Sequence, residues 1–211
     1  SRMKRSKQLL GAVSTIALIA FSASPALAGG STAGSSITNN VSVSFDVGGV
    51  TQTAVTASNT FTVDRKIDVL VDFAGTAATS VAPGAQNQVL AFDVTNLSNA
   101  VVDIRLAAAL NAGNAANIAN FEVYRDTNGD RSLSAAELAA GPITYLDEVA
   151  ADGTVAVIVI ADIGLGAVNG NEFDVVLTGT AREGGTARTQ GAAITQTAGA
   201  NTAGVDTVFT D

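Results

Sequence analysis

The chain has 211 residues, 47% of them hydrophobic but only 5% aromatic, a formal net charge of −8, and no cysteine or histidine. That length can build one or two domains with a core. The absences exclude disulfide frameworks, thiol nucleophiles, imidazole metal sites and a Ser-His-Asp triad. The lack of tryptophan, with Tyr124 and Tyr145 the only tyrosines, also argues against flat aromatic platforms for stacking sugars.

Residues 3–28 read as an export signal: Lys4, Arg5 and Lys7 form a basic start, residues 9–21 an apolar run, and Ala26-Leu27-Ala28 a small-x-small cleavage site. The apolar run is too short to favour a permanent membrane helix. Cleavage there removes Arg2, Lys4, Arg5 and Lys7 and leaves seven basic residues against 19 acidic ones, a net charge of −12. Such a charge argues against nucleic acid and anionic membrane surfaces as partners. The expected location is the cell surface or extracellular space, with the periplasm the other exported destination.

Residues 29–36 are rich in Gly, Ser and Thr and read as a flexible leader. Val41, Val43, Phe45 and Val47 then alternate with Ser42, Ser44 and Asp46, which predicts a half-buried strand. Gly48-Gly49 is a two-residue hairpin signal, with residues 50–57 returning antiparallel. Residues 60–73 keep Phe61, Val63, Ile67, Val69, Val71 and Phe73 on one parity, and predict one long strand that bends near Asp64-Arg65-Lys66 and passes between sheets. Asp64, Asp68 and Asp72, with Asp93 and Asp103 further on, read as a solvated strand face.

A small-residue connector over residues 74–84 closes on Pro83-Gly84, and strands follow at 88–96 and 101–110. Residues 112–120 carry no clear pattern, and 121–124 read as a strand. Residues 143–149 and 154–163 are expected to pair around Asp152-Gly153, and residues 172–183 to close the series. Residues 184–204 read as a mobile Gly/Ala/Thr segment, and 205–209 as a last short strand or a tail.

Repeated short β segments with Gly, Asn and Asp turns predict an all-β fold, an Ig-like antiparallel β-sandwich with one short helix. The expected organisation is a signal over 1–28, an N-terminal β segment over 29–75 serving as a strand-exchange arm, a sandwich core over 76–185 and a flexible end over 186–211. The alternative for the arm is an ordinary edge strand of its own sandwich.

One stretch carries metal chemistry. In residues 126–137, oxygen-bearing residues fall at loop positions 1, 3, 5, 7, 9 and 12, the spacing of a calcium loop. Asp126, Asn128 and Asp130 supply side-chain oxygens, Ser132 its carbonyl, Ser134 a direct or water-mediated contact, and Glu137 two oxygens. Position 6, where glycine makes the sharp turn of an EF-hand, is Arg131, which predicts a weakened or distorted site. The alternative is an Asn-Gly turn flanked by solvated acids. Ser134 and Glu137 also form an S-x-x-E capping box before a short helix that stops at Gly141-Pro142.

Phe92-Asp93-Val94-Thr95-Asn96-Leu97-Ser98-Asn99, with Asn59-Thr60-Phe61-Thr62-Val63-Asp64, Ile67-Asp68-Val69, Pro83-Gly84 and Asp103-Ile104-Arg105-Leu106, resembles bacterial exported Ig-like surface modules of unassigned function. The Asp-Thr-Asn-Gly-Asp loop is similar to those of dockerin and surface-repeat proteins. A looser similarity is to biofilm fibre subunits of the camelysin and TasA type. These resemblances imply a calcium role for Asp126, Asn128, Asp130 and Glu137 and supply no catalytic residues.

The expected function is therefore non-enzymatic: an exported structural protein of the cell surface or extracellular matrix, stabilised by calcium and self-associating by strand addition into fibres or a surface layer. The alternative is a calcium-dependent adhesin or scaffold module for a surface protein or glycan. A hydrolase with paired acids is disfavoured, because Asp147 and Glu148 are adjacent and in a regular strand point to opposite faces.

Overall fold

The computed structural model describes residues 30–75, 78–197 and 204–210. The export signal read over residues 3–28 lies outside them. The described chain contains β1 (Ser36–Val43), β2 (Asp46–Val47), β3 (Val50–Thr51), β4 (Val55–Thr62), β5 (Arg65–Ile67), β6 (Val69–Phe73), β7 (Gln88–Asn96) and β8 (Val102–Ala112). After a 3-10 turn at Ala115–Asn117 come β9 (Ile118–Arg125), α1 (Ala135–Ala140), β10 (Tyr145–Val149), β11 (Thr154–Ile163), β12 (Asp174–Glu183) and β13 (Thr207–Phe209).

The all-β expectation holds. A four-stranded sheet in the order β6-β7-β11-β9 and a three-stranded sheet in the order β10-β8-β12 enclose one core. Period-2 alternation explains the assignment of faces. Val94 of β7, Val157 and Val159 of β11, and Val123 of β9 meet Val102, Ile104 and Leu106 of β8, Leu146 and Val149 of β10, and Leu177 of β12. The core is built from Val, Ile and Leu with little aromatic volume, so each buried side chain contributes only about 1.5–3 kcal/mol.

Two predicted strand relationships are corrected. Residues 60–73 break at Asp64 and Asp68 into the end of β4, then β5, then β6. β5 leaves the arm to pair in parallel with β13, which makes residues 207–209 a strand, while β6 joins the four-stranded sheet. β10 and β11 do not pair with each other. The turn at Asp152 (φ 59) and Gly153 carries the chain across the sandwich, so β10 pairs with β8 and β11 with β7 and β9.

The acid row is not uniformly solvated. Asp103 is fully buried on the outer face of β8, where its carboxylate accepts the Glu148 and Gly191 amides at 2.8 Å each. Asp147 and Glu148 do come together. β10 carries a bulge there, with Glu148 at φ 48, and the break in alternation brings both carboxylates within 4.8 Å of Asp103. Asp147 accepts the Arg188 amide and Glu148 those of Gly185 and Thr186. The three carboxylates thus anchor residues 185–191, read from sequence as mobile, over the outer face of the three-stranded sheet.

Candidate functional site

Two features stand outside the sandwich core: a β arm before it and the 126–137 loop against its outer face. The arm is a two-stranded ribbon in which β1 pairs with β4 from Ser36↔Thr62 to Val43↔Val55. Asp46↔Thr51 and Val47↔Val50 continue it to a tip made by Gly48 (φ 61) and Gly49 (φ 82). Two consecutive positive φ values are the signature of a primed turn, whose twist matches the strands it joins, and glycine adopts them without strain.

Because side chains alternate, the pairing sorts the ribbon into two faces. One carries Ile37 with Phe61, Asn39 with Asn59, Val41 with Ala57 and Val43 with Val55. The other is Ser36, Thr38, Asn40 and Ser42 with Thr56, Ser58, Thr60 and Thr62, tied by a Thr38–Thr60 hydroxyl bond of 2.8 Å. The predicted half-burial of this strand is corrected, since every residue of β1 is exposed. Val43, Phe45, Val47, Val50, Val55 and Phe61 expose between 45% and 64% of their surface. The alternation is that of a half-buried strand, but nothing among the described residues covers its apolar side.

The root of the arm, in contrast, is firmly held, and the residues that hold it are those of the Asn96-Leu97-Ser98-Asn99 motif. The buried Asn99 accepts the Lys66 amide at 2.8 Å and donates its Nδ2 to the carbonyls of Asp64 and Ser31. Ser98 Oγ accepts the Asp68 amide and donates to the Asp68 carbonyl. Asn96, fully buried, accepts the Ser98 amide and donates to the carbonyls of Ala100, Val149 and Ala150. Arg65 of β5 adds a bidentate pair with Glu183 of β12 and a bond to Thr207 of β13. That pairing raises the Arg65 pKa and lowers that of Glu183.

The loop over residues 126–137 folds back on the four-stranded sheet. Arg131 takes the left-handed conformation, φ 64, that loop position 6 demands. Its amide donates to Asp126 at 3.0 Å and Gly129's at 2.6 Å, so the position-1 carboxylate organises the turn. Asn128 accepts the Asp130 amide, and Asp130 accepts the Ser132 amide and hydroxyl. Ser134 caps α1 reciprocally with Glu137, and Gly141 at φ 86 ends the helix, as the sequence predicts.

Two side chains fix this loop to the sheet. Leu133 packs on Tyr124, Ile158 and Ile160 on the sheet's outer face. Arg131 reaches Asp93 on β7 with two bonds of 2.7 and 3.0 Å, opposite Asp72 on β6. The arginine that departs from the calcium-loop pattern therefore links the loop to the sheet and offsets two facing carboxylates.

The buried Glu137 spends both carboxylate oxygens inside the loop. Oε1 accepts the Thr127 amide and hydroxyl, and Oε2 the Ser134 amide and hydroxyl. The Ser134 amide first, then the Thr127 amide, hold its pKa down to about 2. Asp126, Asn128, Asp130, Ser132, Ser134 and Glu137 all lie on this one loop. Among the described residues, however, the grouping of three acidic ligand atoms within 4.8 Å is Asp103, Asp147 and Glu148. Sequence reading missed that cluster because it depends on the β10 bulge.

No known family, curated protein or solved structure matches this chain.

Proposed function

We propose that this chain is a non-enzymatic structural subunit, exported to the cell surface or extracellular matrix, that self-associates through the arm formed by β1–β4. The observation that carries this reading is the exposed apolar face of a ribbon anchored at its root. A lone two-stranded ribbon is marginal in water, and one that keeps valines and phenylalanines exposed gains stability by covering them.

Calcium at residues 126–137 is the second element of the reading. The left-handed Arg131 and the Asp126 carboxylate that gathers the turn's amides support it, and oxygen ligands at this spacing suit a hard cation. Binding would exchange the hydrogen bonds that Glu137 now accepts for contacts with the ion.

The test is electron microscopy and sedimentation of the exported chain, residues 29–211, in millimolar calcium and in chelator, beside a variant lacking residues 36–62. Regular filaments or sheets from the parent, absent in the deletion and thinned by chelator, are expected. A parent that stays monodisperse under both conditions would overturn the assembly reading. Assemblies indifferent to chelator would remove calcium from it.

A further inference from the structure

We infer that the arm of one copy docks along the free edge of β12 in a second copy, extending its three-stranded sheet. The inference rests on the self-association proposed above and specifies the receiving surface.

The size of the arm's face argues against the simplest arrangement, two arms packed flat against one another. The run from Ser36 to Val47 at ~3.3 Å per residue, across two strands ~4.8 Å apart, gives a face of roughly 380 Å². A stable interface buries about 800 Å² per partner. Face packing alone falls short, whereas docking on a sheet edge adds a row of main-chain hydrogen bonds. The arm offers such rows, because among the described residues β1 and β4 pair only with each other and leave both outer edges open.

The sandwich has four edge strands, and three are poor acceptors. β10 is short, bulged and crossed by residues 185–191. β9 is already met along its edge by the Ile143 amide, which donates to Val123, and its pairing with β11 is irregular at Ile160/Asp162. β6 has five residues, with Asp72 among them. In β12 the final two residues meet Ala192 and Ala193, and among the described residues no further strand pairs with residues 174–181 on that edge. That open stretch has eight residues, the length of β1. Its irregularity lies at one end, between Asp174 and Val175, and from Val175 to Ala181 it has no proline, lysine or other charge to protect the edge.

Charge points to the same pairing. An acidic chain repels its own copies, so two copies meet most easily where both are neutral. Residues 36–62 hold Asp46 as their only charge, and residues 174–181 only Asp174. The arm alternates apolar residues with Ser, Thr or Asn, and β12 alternates Leu177, Gly179 and Ala181 with the exposed Thr178 and Thr180, so over that length a docked arm continues both surfaces of the sheet.

The absence of cysteine makes the test clean. Ser42 lies opposite Thr56, close to either outer edge of the arm, and Thr178 is exposed in the middle of the open stretch. Exported chain carrying S42C is mixed with chain carrying T178C, treated with a short bismaleimide, and the joined peptides are read by mass spectrometry. Parallel mixtures replace T178C with D72C on β6, or use S42C alone. The expected result is a Ser42–Thr178 cross-link several-fold above both controls, suppressed when V176K and T180K are added to the chain carrying T178C.

Assemblies whose dominant product is the β6 cross-link, or the arm-to-arm product, would overturn the β12 assignment and leave self-association standing. Absence of both assembly and cross-link would overturn the assignment together with the reading beneath it.

Discussion

Asn96 offers a quantitative test of how the arm's root is held. Its side chain is fully buried and makes four hydrogen bonds, one accepted from the Ser98 amide and three donated to the carbonyls of Ala100, Val149 and Ala150. Truncation to alanine strands the Ser98 amide and the Ala100 carbonyl and weakens Val149, whereas Ala150 keeps the Gly153 amide. At about 1–3 kcal/mol for each buried group left unsatisfied, N96A should lose about 4 kcal/mol. That is a large share of the ~5–15 kcal/mol by which a domain is stable. The assay is urea unfolding at equilibrium, with the midpoint falling and the slope unchanged. N96D is the companion, because it keeps the acceptor for Ser98 but replaces three donated bonds with a carboxylate facing three carbonyls; it should be no more stable than N96A. A loss below about 1 kcal/mol in N96A would refute the reasoning, since it would mean that water satisfies these groups.

Three further outcomes follow from the same structure. N99A should leave the sandwich intact but speed amide exchange and proteolysis over residues 31–66, because the Lys66, Asp64 and Ser31 bonds release together; unchanged protection there would contradict the anchoring role. Glu137 has its folded pKa depressed to about 2, so its stabilisation is complete above the unfolded value near 4.3 and is lost as pH falls towards 2. Glu183 and Asp162 are shifted in the same direction. Acid unfolding between about pH 4.5 and 2 should therefore flatten in E137Q, read by circular dichroism against pH. V41D with V43D places two charges on the exposed apolar face; it should leave the melting temperature nearly unchanged while suppressing assembly, and a large drop in melting temperature would mean that the face is covered within the monomer.

Much of this fold is legible in the sequence because period-2 alternation and glycine turns are local. The hairpin at Gly48-Gly49, the strands 88–96 and 154–163, and the capped helix after Ser134 can be read directly. What eludes such reading depends on long-range choices. Alternation at Val41 and Val43 says that one face is apolar, but not whether the molecule itself covers it. Nothing near Asp152 indicates that the chain changes sheets there. The closeness of Asp147 and Glu148 to Asp103 requires a bulge that simple alternation forbids. Arg131 reads as a defect in a calcium loop until its guanidinium is seen on Asp93. The Asn96-Leu97-Ser98-Asn99 motif can be spotted, but its physical reason lies in partners as distant as Ser31 and Ala150.

The crossing at Asp152 also bears on when this chain folds. Since β10 and β11 do not zip together, β11 must find β7, where Thr154 meets Thr95, and β12 must find β8, where Glu183 meets Val102. Closing loops of that length before any contact forms slows folding, and sandwiches with such wiring fold in milliseconds to seconds rather than microseconds. If the chain is exported as proposed, that delay keeps it extended long enough to be threaded out of the cell. The exposed apolar ribbon would then acquire its rigid platform only after that passage.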